Sequence, residues 1–226
     1  MPRTVIATGR IDLRATLAPL AALARDPTVR LNAGRFERAT LTPDGPAVVV
    51  ITWSKGEETA EAETFGDGAT WLLERTPGLL GCEDDVAGFA PETQPLRELW
   101  RLHSGDRVGR TATLWQTSRG SSCSSASTAP TPQFSGVAWS LIWAGRPPGV
   151  ADLLLPPAAQ DVGRLGYSDL HRYGIDGKRA ENLIRAARVA RQLQTFVDRD
   201  SRAASAALRS VPGSGSWTSS CLLAQT

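Results

Sequence analysis

Residues 208–218, LRSVPGSGSWT, set a glycine on either side of Ser214, with Val211 and Pro212 before the pair and Trp217 and Thr218 after it. Glycine at 213 and 215 permits left-handed or otherwise unusual backbone angles and a close approach by another group. A tight turn here points the N–H groups of Gly213, Ser214 and Gly215 outward, just ahead of a helix predicted to start near Trp217. Outward N–H groups beside the positive end of a helix suit a phosphate. A contact of that kind anchors nucleic acid without reading its sequence. Ser216 is the expected cap of the helix that follows.

Working outward, the chain on the near side of this turn is helical. GKRAENLIRAARVARQLQTFV (177–197) puts Ala180, Leu183, Ile184, Ala187, Ala190, Leu193 and Val197 on one stripe, and Arg185, Arg188 and Arg191 on the opposite face. RAASAALRS (202–210) is a shorter helix leading into the turn. PLRELWRLHSG (95–105) spaces Leu96, Leu99, Trp100 and Leu102 along one apolar face. The first part of the chain differs in texture. RTVIATG (3–9) reads as an edge strand and DLRATLAPLAALAR (12–25) as a helix with Asp12 as N-cap. FERATLTPDGPAVVVITWSKGEETAEAETFG (36–66) reads as strands joined at PDG and KGEE turns. GDGATWLLERTPGLLG (66–81) is helical again, with Trp71, Leu72, Leu79 and Leu80 facing a core. CEDDVAGFAPETQP (82–95) has the proline and acidic content of a linker. The expected fold class is therefore α+β: residues 1–95 form an α+β domain and residues 96–226 an all-α domain.

The bulk numbers are those of a globular protein. The 226 residues include 41% hydrophobic and 21% charged side chains, enough to bury a core. No apolar run approaches the roughly 20 residues of a membrane span. The start, MPRTVIATGRIDLRATLAPL, carries charges where a signal peptide needs its apolar stretch, so a cytoplasmic, nucleoid-associated location is expected. Cys82, Cys123 and Cys221 are too scattered for a disulfide framework or a thiolate cluster. His103 and His171 lack the companions of a metal site. PGSGSWTSS is not a P-loop, because no Gly-Lys-Ser/Thr follows. Charge is divided unevenly: residues 1–100 carry ten Lys and Arg against fifteen Asp and Glu, and residues 101–226 carry fifteen against eight. A polyanion is expected to meet the second part.

LRSVPGSGSWT resembles the helix-hairpin-helix of the DNA glycosylase superfamily that includes endonuclease III and the alkyl-base glycosylases. LHRYGIDGKRAENLIRAA (170–187) is similar to the family segment in which a glycine turn and a Lys/Arg-Ala pair open the helix before the hairpin. GRIDLRATLAP (9–19), GRFERATLTPDGPAVVVI (34–51) and TWLLERTPGLLG (70–81) resemble the TATA-binding-protein-like N-terminal domain of bacterial 3-methyladenine DNA glycosylase II. The resemblance covers residues 1 to about 116 and 150–226. It implies a curved sheet followed by a helical bundle that binds double-stranded DNA and flips a damaged base into a pocket.

By the same resemblance, Gly213, Ser214 and Gly215 hold one phosphate, with a monovalent cation at the hairpin and Thr218 assisting. The DNA-facing set is Pro212, Gly213, Ser214, Gly215, Ser216, Trp217, Thr218, Lys178 and Arg179. No other cofactor, no metal and no obligate protein partner is implied, and a monomer is expected. Family members that also cut the backbone carry a lysine immediately after the hairpin, because an amine must form the Schiff base. Trp217 stands there, which implies a monofunctional enzyme of the alkyl-base branch.

Three departures accompany the resemblance. The family's catalytic aspartate lies beyond the helix that begins at Trp217, and the sequence stops at Thr226, so the bundle is expected to be C-terminally truncated. No catalytic residue is assigned, a non-catalytic DNA-binding remnant is the alternative, and Trp217, Leu222 and Leu223 are expected to lack cover. Ser214 occupies a place the family gives to a β-branched apolar residue. Residues 118–148, Ser/Pro/Trp-rich and without one acid, stand where the family has a helix and a loop that enters DNA. They read either as a linker or as a reading frame displaced by two nucleotides, since G/C-rich back-translation in the shifted frame yields an amphipathic stretch with a Gly-Gln turn.

Overall fold

The computed structural model describes residues 1–22, 26–117, 145–150, 152–171, 175, 177–197, 201–211 and 215–226. Five strands, β1 (Arg3–Ala7), β2 (Val29–Asn32), β3 (Arg35–Thr42), β4 (Gly45–Thr52) and β5 (Thr59–Gly66), form an antiparallel sheet in the order β1-β5-β4-β3-β2. The PDG and KGEE turns fall where the sequence puts them. Strand β2 escaped the sequence reading because it has only four residues, none of them fully buried. Gly34, at φ +67, makes the turn into β3; a Cβ there meets the Trp53 carbonyl at 2.6 Å, so only glycine fits.

Strand β4 explains the rest of the fold. AVVVI is apolar without alternation, and both of its faces are covered. Ala47, Val49 and Ile51 face a core with Ile6, Phe36, Ala60 and Ala62 of the sheet and with Leu13, Leu17, Leu72, Leu79 and Leu80. Those leucines come from or adjoin α1 (Leu13–Leu17), α2 (Ala69–Glu74) and α3 (Thr76–Leu79). Val48 and Val50 face the other way, against Ala39, Leu153 and Leu155. The last two belong to a strap, described over 145–150 and 152–155, that packs on this face and is tied by Leu154 N donating to Pro27 O, two residues before β2, at 2.9 Å. Gly149, at φ +86, lies so close to the Phe65 ring that a Cβ would sit 2.5 Å from it.

The Asp12 cap is in place: its Oδ1 accepts from Ala15 N at 2.9 Å. The helix behind it is shorter than predicted. It passes at Ala18 into a 3-10 turn (Ala18–Ala21), because Pro19 has no N–H for the α-helical ladder. Pro77 splits 69–79 into α2 and α3 in the same way. Trp71 is half-buried, and the Arg75 guanidinium lies 4.0 Å over its ring. Helix α4 (Gln94–His103) forms as predicted, but its apolar face is in solvent: Leu96, Leu99 and Leu102 are 46%, 54% and 66% exposed. Trp100 is held by Phe89, ring centroids 4.9 Å apart.

The helical region contains α5 (Ala159–Val162), α6 (Tyr167–His171), α7 (Gly177–Val197), α8 (Ser201–Arg209) and α9 (Ser216–Ala224). No described helix is long and apolar enough to cross a membrane. The predicted stripe of α7 is buried from Ala180 through Leu193; the Val197 side chain lies outside the described residues. Its first half packs with Val162, Leu170 and Ile175, and Leu193 near its end packs with Leu114, Leu208 and Leu222. That second cluster corrects one expectation. Leu222 is 3% exposed and Leu223 half-buried, because Leu114, Leu193 and Leu208 cover this side of α9.

Candidate functional site

The candidate site is the junction of α8 and α9. On its near side Leu208 is buried and Val211 half-buried, while Val211 N donates to Leu208 O at 3.1 Å and Ser210 Oγ to Ala207 O at 2.7 Å. These bonds close α8 and direct the chain toward the turn. Pro212, Gly213 and Ser214 lie outside the described residues, as do the side chains of Trp217, Thr218 and Arg179.

On the far side the structure reassigns the cap. Gly215, at φ −74 and ψ 177, has the extended backbone of an N-cap and Ser216 is the first helical residue, so Ser216 does not cap α9. Gly215, as a glycine, has no side chain with which to cap this end of the helix. Gly215 and Ser216 are exposed, and a Cβ built on Gly215 meets nothing within 4 Å. The Gly215 carbonyl accepts the first bond of the helix, from Ser219 N, and a second from Ser219 Oγ, each at 3.0 Å. The first N–H groups of any α-helix lack intrahelical partners and carry the positive end of its dipole. At α9 this end opens on Gly215 and Ser216, both exposed. Such an end can take an anion of the size of a phosphate.

The basic residues divide between this task and others. Lys178 is exposed in the first turn of α7, about 22 Å along that helix from Leu193, whose side chain joins the cluster under the hairpin. Arg185 pairs with Glu181 at 3.0 Å, and Arg188 Nε donates to Gly163 O at 2.9 Å, which ties α7 to the end of α5. Two arginines of the predicted basic face thus have protein partners, and Arg191 is exposed. Among the described residues no three His, Cys, Asp or Glu converge as metal ligands.

A second feature went unread in the sequence. Residues 111–117, a bend at Ala112 followed by a helical turn at 114–117, lie between the sheet and the hairpin helices and carry Thr111, Thr113 and Thr117, each at most 8% exposed. Three threonines in seven residues, in a stretch with neither helical nor strand period, were the available signal.

No family model and no curated protein matches the sequence. Among solved structures, the fold is similar to a 3-methyladenine DNA-glycosylase from Archaeoglobus fulgidus, with a TM-score of 0.75 at 15% identity over 99% of this chain and 78% of that one. MBOgg1 in complex with a low-affinity DNA ligand gives 0.71 at 12% identity, covering 98% of this chain and 75% of that one. The 8-oxoguanine glycosylase/lyase of Clostridium acetobutylicum gives 0.69 at 11% identity, covering 99% and 77%. At these identities the likeness speaks to fold alone, an antiparallel sheet joined to a helical region, as in these three structures.

Proposed function

We propose that this chain grips double-stranded DNA through the 208–218 hairpin and hydrolyses the N-glycosidic bond of alkylated bases such as 3-methyladenine, as a monofunctional glycosylase of base-excision repair. The observation that carries the reading is the N-terminus of α9, which opens on an exposed glycine, Gly215, in the N-cap position. The likeness to a 3-methyladenine DNA-glycosylase supports the substrate class. Likeness to glycosylases solved with DNA supports the partner. Trp217 offers no amine for a Schiff base, so the attacking group in this reading is water. Phosphate contacts give the grip its strength, which makes it steeply salt-dependent. A monovalent cation at the hairpin, a monomeric state and a cytoplasmic, nucleoid-associated location belong to the same reading.

One observation favours a second reading. Leaving-base chemistry needs a carboxylate to stabilise the oxocarbenium-like sugar, and residues 201–226 contain no Asp or Glu. The second reading is therefore a DNA-binding protein of glycosylase fold that releases no base. The test incubates the full chain with a methylated duplex, measures freed base by chromatography, and measures binding by fluorescence anisotropy at low and high salt. Base release with salt-sensitive binding supports the first reading. Salt-sensitive binding without release refutes hydrolysis and supports the second, and no binding at low salt refutes both.

A further inference from the structure

The turn that leads into the helical residues 114–117 is made at Ala112, at φ +53, the one non-glycine residue at positive φ among the described residues. Alanine has no side-chain group to offset that conformation, which glycine adopts freely. Something outside the turn therefore has to hold it, and Gln194 of α7 is placed to do so. Its Nε2 donates to Ala112 O at 3.0 Å, while its Oε1 accepts from Leu114 N at 2.9 Å. One side-chain amide thus satisfies the backbone on both sides of the strained bend.

The turn is then fastened to both halves of the molecule. Toward α9, Thr111 N and Thr111 Oγ1 both donate to Gln225 O, at 2.7 and 2.9 Å, and Leu114 packs on Leu222. Toward the sheet, Arg38 Nη2 donates to Thr113 Oγ1 at 2.7 Å and to Gln116 Oε1 at 3.0 Å. Gln116 Nε2 in turn donates to Thr28 Oγ1 at 3.2 Å and to Ala39 O at 3.0 Å.

We propose that this turn is a strained latch and that Gln194 is a positioning residue, fixing α9, and with it the anion-facing end of that helix, against the sheet. The turn grips α9 at its C-terminal end, and Ser216 stands about 13 Å away along the axis. A tilt of about 10° at the latch moves that end by about 2 Å, more than a phosphate hydrogen bond tolerates. The positioning half of the proposal rests on the DNA-binding reading above; the strain half does not.

The test is a double-mutant cycle on the full chain with Ala112→Gly and Gln194→Met, read first by thermal unfolding and then by binding to a 20-base-pair duplex. Ala112→Gly is expected to raise Tm by about 2 °C and Gln194→Met to lower it by about 6 °C. In the glycine background the Gln194→Met loss is expected to be larger, by about 2 °C, because the two hydrogen bonds are lost with no strain released in return. Additive effects, or a lower Tm for Ala112→Gly, overturn the strain half. If Gln194→Met does not fold, Gln194→Glu, which keeps the acceptor to Leu114 N and loses the donor to Ala112 O, replaces it in the cycle. In binding, the Gln194 variant is expected to be about tenfold weaker at unchanged salt slope, with affinity recovered in the Ala112→Gly background. Equal affinity for wild type and variant overturns the positioning half. Absence of wild-type binding overturns it together with the DNA reading, while the unfolding cycle still decides the strain half.

Discussion

Leu222→Ala puts the packing of the last helix to the test. Leu222 is 3% exposed and lies among Leu114, Leu193 and Leu208, at 2%, 8% and 3%. Cutting it to alanine empties a site lined by three leucines from three separate parts of the chain, which cannot all close in to fill it. Buried Leu→Ala changes cost about 2–5 kcal/mol, and about 3 is expected here. In a domain of this size each kcal/mol moves Tm by about 2–4 °C, so the variant should melt about 6–12 °C below wild type. The assay is thermal unfolding followed by circular dichroism on the full chain. Leu99→Ala is the control: Leu99 is 54% exposed on α4, and its loss should cost no more than about 0.5 kcal/mol, a shift of about 1–2 °C. If the two variants melt together, α9 is not packed as described, and neither the cluster nor the latch that depends on it holds.

Burial, helped by the negative charges of Glu83 and Asp84, pushes the Cys82 thiol above its ordinary value. The thiolate is the reacting form, so alkylation of Cys82 at pH 8, located by peptide mass mapping, should be slower than that of an unstructured cysteine peptide and should keep rising above pH 9; equal rates at pH 8 refute this. Sequencing the coding DNA between the codons for Thr117 and Pro148 separates the two readings of residues 118–148: a frame displaced by two nucleotides refutes the linker, and an unshifted frame refutes the displacement.

Much of the sheet was legible because its signals are local. Turn residues at PDG and KGEE, the unbroken apolar run of β4 and the Asp12 cap each act within a few residues of where they stand. The buried face of α7 was equally legible, since its period persists from Ala180 to Leu193. What escaped depends on partners distant in the chain. Leu222 looks uncovered until Leu114, over a hundred residues earlier, is placed against it, and the apolar face of α4 looks like a core face because periodicity reports amphipathicity and not what lies opposite. At the site, the glycine turn was visible, but the choice of Gly215 over Ser216 as cap follows from backbone angles that residue preference does not decide. Ala112 gave no sign of its conformation, because the residue that holds it, Gln194, sits on another helix.

The strap that carries Leu153 and Leu155 onto the back of the sheet sets an order of events during synthesis. All five strands leave the ribosome about eighty residues before the strap does, so the face bearing Val48 and Val50 has no lid when the sheet first pairs. At about 5–20 residues per second that interval lasts roughly 4–16 s. For that time a half-covered sheet, β4 at its centre, is open to other nascent chains and to chaperones. A ribosome stalled between residues 66 and 150 would hold the sheet in that sticky state.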